Sequence, residues 1–264
     1  MQAYLQNARN SLRTWSIYLG GLISDLLAYP LEIIVFYLLW AFIYDAADTK
    51  TIVEITFTAM IAYVVMQRLF QRIIETTDIA REIENEINEG AISIYICRPI
   101  NHQLLKISAV LPRTLITVII SFLSVIILFP FFGLPGLANP VYLLWIIFAL
   151  SISILSSLLI NLILGYVTFW TKESPWWFYY APLRLIGGGL VPLTLFPKWI
   201  TTILIFLPFS LIYYFPLAFL VIPETIPIEE VTYVLVSCFW LVILSFGTTI
   251  MWKRGLYRFD AQGG

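Results

Sequence analysis

Four ionisable residues, Asp25, Glu32, Arg113 and Arg184, stand inside long apolar runs. A charge at the centre of a bilayer costs about 2.5–3.5 kcal/mol on insertion scales, so such residues pair, reach water or line a polar route. Asp25 lies near the inner end of its run, within reach of water. Glu32 follows Pro30, Arg113 follows Pro112 and Arg184 follows Pro182, and a helical proline leaves a carbonyl without its usual donor. Two chemistries are open. A structural ion pair would join Glu32 to Arg113 or Arg184. A substrate pathway would use the same groups, with Phe36, Tyr37, Trp40, Tyr179 and Tyr180 as an aromatic wall. A third use, ion or proton binding by Glu32 and Asp25 in a coupled carrier or channel, finds no inverted repeat or carbonyl filter beside it. Nucleophilic chemistry is poorly supplied: Ser121, Ser151, Ser153, Ser156 and Ser157 have no histidine at a matching depth. His102 is the only histidine, which argues against a histidine metal site. Cys97 and Cys238 imply no disulfide framework, and nothing points to a nucleic acid.

The second charged constellation is Glu82, Glu86 and Glu89, closed by Gly90. Ile79, Ile83 and Ile87 recur every four residues beside them, which predicts a short amphipathic helix with an apolar stripe and an acidic face. Thr77 or Asp78 can cap its start and Gly90 can stop it. The stripe would dock on the inner ends of membrane helices or in a partner's groove. The carboxylates would face water or a basic partner. An ordinary solvated face on a helix extending from the second span is the plainer account of the same periodicity.

The elements that must position these residues are membrane helices. The chain carries 60% hydrophobic and 12% charged residues, with mean hydropathy +0.89, where soluble domains carry about 25% charged residues. Continuous apolar runs rather than alternating ones predict helices, not a barrel. The expected fold is an all-α integral membrane protein with six spans, near 22–44, 55–70, 104–129, 141–170, 178–196 and 231–252. Pro208 and Pro216 interrupt a further apolar stretch, 200–222, which reads as two short arms of an outer re-entrant hairpin within 198–222. Residues 1–21 read as an interfacial amphipathic helix with no cleavable signal, 71–103 as the inner loop, and 255–264 as a cytoplasmic tail after a 22–254 membrane domain. With both termini in the cytoplasm, only Lys50 and Lys198 of the lysines and arginines lie outside. Making 200–222 a full span would send Lys253, Arg254 and Arg258 outward, against the positive-inside rule. Gly187, Gly188 and Gly189, followed by Pro192, allow either close helix packing or a hinge in the fifth span.

Three strings resemble one family. Glu82-Ile-x-x-Glu-Ile-x-x-Gly90 with Arg98-Pro99-Ile100 is similar to the cytoplasmic loop of ABC-2 type permeases. Gly189-Leu-Val-Pro192-Leu-Thr-Leu-Phe-Pro197-Lys-Trp199, with Pro208 and Pro216 behind it, resembles their fifth span and outer hairpin. The tail from Gly255 to Gly264 resembles that of the same branch. The resemblance implies a transmembrane subunit of an ATP-binding-cassette exporter in the plasma membrane. It would pair with a second permease, a copy or a paralogue, and couple to a separate ATPase that holds ATP and Mg. It also implies that Glu82, Glu86, Glu89, Gly90, Arg98 and Pro99 form the coupling element, that a hinge at the glycines lies at the dimer seam, and that the coupling loop pushes on the first and fifth spans. The chain has no Gly-x-x-x-x-Gly-Lys-Ser/Thr loop, so it binds no nucleotide by that route.

Overall fold

The computed structural model of the chain describes residues 6, 19–49, 51–74, 78–96 and 101–259. The expected interfacial helix over 1–21 lies almost wholly outside the described residues. Helices α1 (Leu19–Ala46) and α2 (Phe57–Ile74) are joined by a small hairpin of β1 (Thr51–Ile52) and β2 (Ile55–Thr56), paired antiparallel. The Tyr44 hydroxyl donates to the Ile55 carbonyl at 2.8 Å and fastens the hairpin to α1. This pair of strands is the departure from an all-helical expectation. There follow α3 (Asp78–Asn88), α4 (Ser93–Ile96), α5 (His102–Phe132), α6 (Pro135–Ala138), α7 (Pro140–Thr171) and α8 (Trp176–Ile186). After a 3₁₀ turn at Leu193–Leu195 come α9 (Lys198–Ile205), α10 (Pro208–Ile212), α11 (Tyr214–Val221), a second 3₁₀ turn and α12 (Glu230–Arg258).

Among the described residues, α5, α7 and α12 are long and apolar enough to cross a membrane. Their 31, 32 and 29 residues extend about 43–48 Å, against a hydrocarbon core of about 30 Å. Their starts are chemically marked. Asn101 accepts from the Leu104 amide before α5, and Asn139 accepts from the Val141 amide before α7, with Pro140 in the first turn. Helix α7 is the hub: α3, α10, α11 and α12 all pack against it. Half of its most apolar stretch is buried inside the protein, whereas α5 and α12 turn most of theirs outward.

The expected fifth span over 178–196 is not one helix. Helix α8 has 11 residues, about 16 Å at 1.5 Å per residue, and stops at Gly187. Gly188 has φ +80°, and the chain then runs through Pro192 into the 3₁₀ turn. A Cβ at Gly187 would lie 2.8 Å from the Phe209 carbonyl oxygen; one at Gly188 would lie 2.9 Å from Tyr214 Cβ. Close approach of α10 and α11 therefore takes the place of another helical turn. The segment 200–222 likewise forms three short helices instead of two arms. Broken helices in apolar surroundings leave carbonyls that need donors. Tyr63 on α2 donates to Gly188 at 2.6 Å, Ser153 on α7 to Ile212 at 2.6 Å, and the Trp240 indole on α12 to Phe206 at 2.7 Å.

Candidate functional site

The isoleucine stripe has found its groove within the chain. Ile79 and Ile83 are fully buried against Leu158, Leu162, Tyr166 and Phe169 of α7 and Val110 of α5, and Ile87 packs at the edge. Gly165 makes room: a Cβ there would come within 2.8 Å of Ile83 Cβ. Helix α3 ends where Gly90 turns left-handed at φ +75°. The Ile92 amide then donates to the Glu86 carbonyl at 3.2 Å and the Ser93 hydroxyl to the Gly90 carbonyl at 2.8 Å. Asn88 reaches across to the Lys172 carbonyl at 3.0 Å, tying the helix to the end of α7.

The acidic face is only partly a solvent face, contrary to the sequence expectation. Lys106 on α5 donates to Glu82 at 3.1 Å and to Glu86 at 2.9 Å. Glu86 also accepts from the Tyr95 hydroxyl at 3.1 Å and meets His102 Nε2 at 3.0 Å. A carboxylate only accepts, so Nε2 carries a proton. In the neutral ring Nδ1 then accepts from the Tyr166 hydroxyl, 3.0 Å away. The imidazole lies flat on the Trp252 indole of α12, centroids 4.5 Å apart and planes 1° apart. One buried ring thus joins α3, α5, α7 and α12. Burial pushes the Glu86 carboxyl up, but hydrogen bonds and charge from His102 and Lys106 outweigh it and hold it below the usual carboxylate range. Glu89 is exposed, and Arg98 and Pro99 lie outside the described residues.

Sequence reasoning missed His102, Lys106, Tyr166, Gly165 and Trp252. One signal was available: His102 and Lys106 are four apart at the start of a helix, matching Glu82 and Glu86 four apart on the preceding one. Such complementary pairs find each other when the chain lays one helix across another.

Of the four intramembrane charges, Glu32 and Arg184 have described side chains, and those of Asp25 and Arg113 lie outside the described residues. Among the described residues Glu32 pairs with Arg68 of α2. Arg68 is one of the cations that the charge bias puts on the inner side. It also donates to Gln71. The Arg113 and Tyr180 side chains lie outside the described residues, and Arg184 sits half-buried on α8 with its carbonyl accepting from Gly189 at 2.6 Å. The aromatic candidates do not form one wall. Phe36 packs against the core and Trp40 is buried, whereas Tyr37 is exposed and meets Phe57 edge-on, centroids 5.5 Å apart. Gly187, Gly188 and Gly189 pack against α10 and α11, and Pro192 is buried.

A family model described as ABC-2 family transporter protein matches residues 31–263. The chain belongs to that family. It is a membrane transport protein of the ABC type, a permease, and the match covers α3, the cluster around His102 and the broken α8 region alike. A search of the curated proteins returns no match. In this ABC-2 permease, therefore, the acidic helix is built into the membrane helices by both its apolar and its charged faces.

Proposed function

We propose that this permease is the transmembrane subunit of an ATP-driven exporter. It crosses the plasma membrane six times with both ends in the cytoplasm, the fifth crossing being made by the broken α8 region rather than by one helix, and pairs with a second permease. A separate ATPase, carrying ATP and Mg, docks on α3. The observation that supports this reading is the seating of α3: its buried stripe and its Glu86–His102–Lys106 contacts hold it rigidly, while Asn85 and Glu89 stay exposed for a partner. A rigid element with one free face can transmit force; a loose one would absorb it. The attachments also name the lever. Force applied to α3 passes first into α5, α7 and α12, the helices that hold it among the described residues. Closure of the ATPase shifts the permease between conformations only so far as it binds one better than the other.

The test is capture of a P-loop ATPase on the tagged permease in mild detergent. Asn85→Arg with Glu89→Arg should lower capture at least about tenfold, a loss of about 1.4 kcal/mol, without changing the melting temperature. Undiminished capture, or transport that continues with the ATPase removed, would sink the proposal.

A further inference from the structure

The cytoplasmic end of α12 carries a surface that the coupling element does not use. The exposed apolar residues of this helix before its charged end, Val231, Leu235, Phe239, Val242, Ile243 and Phe246, fall within about 120° of one another at 100° per residue. The buried residues Tyr233, Ser237, Leu244, Thr248 and Gly255 lie on the opposite side. Continued down the helix, the exposed stripe runs directly into Lys253 and Tyr257, flanked by Arg254 and Arg258. All four are exposed, Tyr257 at 95%. Among the described residues none of these three cations has an ion-pair partner.

The levels match a bilayer. From Val231 to Phe246 the stripe rises about 22 Å, and Lys253 stands about 33 Å from Val231, just past a core of about 30 Å. Tyr257 lies about 6 Å further, in the headgroup layer, where tyrosine sits with its ring toward the chains and its hydroxyl toward water. Lysine and arginine stems snorkel to the same level. The occupant is therefore decided by continuity: the face that meets acyl chains above meets their headgroups below, and three exposed cations select negative ones.

We propose that Lys253, Arg254, Tyr257 and Arg258 form a contact site for anionic phospholipid headgroups. The site rests on α12 crossing the membrane, not on the docking of an ATPase. It lies on the back of the α3 anchor, since Trp252 stacks on His102 and Gly255 packs on Phe169 from the other side of the same two turns.

The experiment uses the full-length chain in detergent, titrated with phosphatidylglycerol or phosphatidylcholine, with retained lipid read by native mass spectrometry. Phosphatidylglycerol should be held preferentially. The triple variant Lys253→Gln, Arg254→Gln, Arg258→Gln should lose at least about tenfold of that retention and keep its phosphatidylcholine. Tyr257→Ala, which leaves every charge in place, should lose less of it. Equal retention of both lipids by the native chain, or undiminished phosphatidylglycerol on the triple variant, overturns the site. So does competition by inorganic phosphate, which would make it a phosphate site, or a loss confined to ATPase capture, which would make it a protein surface. Membrane insertion is read separately by resistance to carbonate extraction, so a failure of the crossing is distinguishable from a failure of the headgroup site.

Discussion

The inner corner around α3 and the broken region from α8 to α11 solve one problem by opposite means. Both contain short helices that cannot stand alone, since isolated helices under about 12 residues are marginal. The inner corner is held by side chains: an isoleucine stripe in a groove, and a carboxylate shared by Lys106, His102 and Tyr95. The broken region is held through its backbone: glycines let chains touch, and Tyr63, Ser153 and Trp240 donate to orphaned carbonyls. Water explains the difference. Near the membrane surface a charged network can be completed from solvent on its open side. Within an apolar layer every carbonyl must find a protein donor.

The contrast can be broken by substitution, starting from the inner corner. Ile83→Asp places an unpaired charge in a sealed groove and should cost about 4 kcal/mol or more. Increased proteolysis within 78–96 would report the undocking; an unchanged digestion pattern would remove the groove from the account. In the broken region, Gly188→Ala forces a Cβ into a left-handed position against Tyr214 and Leu193. It should cost about 3 kcal/mol from backbone strain and overpacking together, measured as a lowered unfolding midpoint in detergent.

The anchor should also respond to pH. Glu86 binds its proton less readily in the folded chain than in the unfolded one. Its contribution is therefore full above the unfolded carboxylate pKa and is lost as pH falls through the lower folded value. Hydrogen exchange in 78–96 should rise on acidification, and Glu86→Gln should flatten that rise while costing about 2 kcal/mol at neutral pH. Tyr63→Phe leaves the Gly188 carbonyl without its donor and should cost about 1 kcal/mol, with no acid dependence. The smallest effect belongs to Glu82→Gln. Its carboxylate is half exposed, where that of Glu86 is one-fifth exposed, so a loss of at most about 1 kcal/mol is expected. Should Glu82 outweigh Glu86, the distinction between a buried anchor and a solvated pair would fail.

The long helices were legible because they need only their own residues. Uninterrupted apolar runs identify α5, α7 and α12, and the structure adds the asparagine caps that start α5 and α7. The helix α3 was legible for the same reason, through the four-residue recurrence of Ile79, Ile83 and Ile87 and the stop at Gly90. The fate of α8 was not. A run such as 178–196 is as apolar as a span, and whether its glycines continue a helix or end it depends on how closely α10 and α11 approach. The charges were ambiguous for a related reason: Glu32 could reach several arginines, and helix order in sequence does not say which one lies beside it.

The sequence by itself determined the solvent of this protein, its family and the amphipathic character of the helix before Gly90, because these are properties of local composition and period. Only the tertiary structure decided that Arg68 answers Glu32, that Lys106 and His102 claim the acidic face, and that the fifth apolar run breaks at Gly187. Each depends on which distant backbone segments come within a few ångströms, and no local pattern encodes that distance.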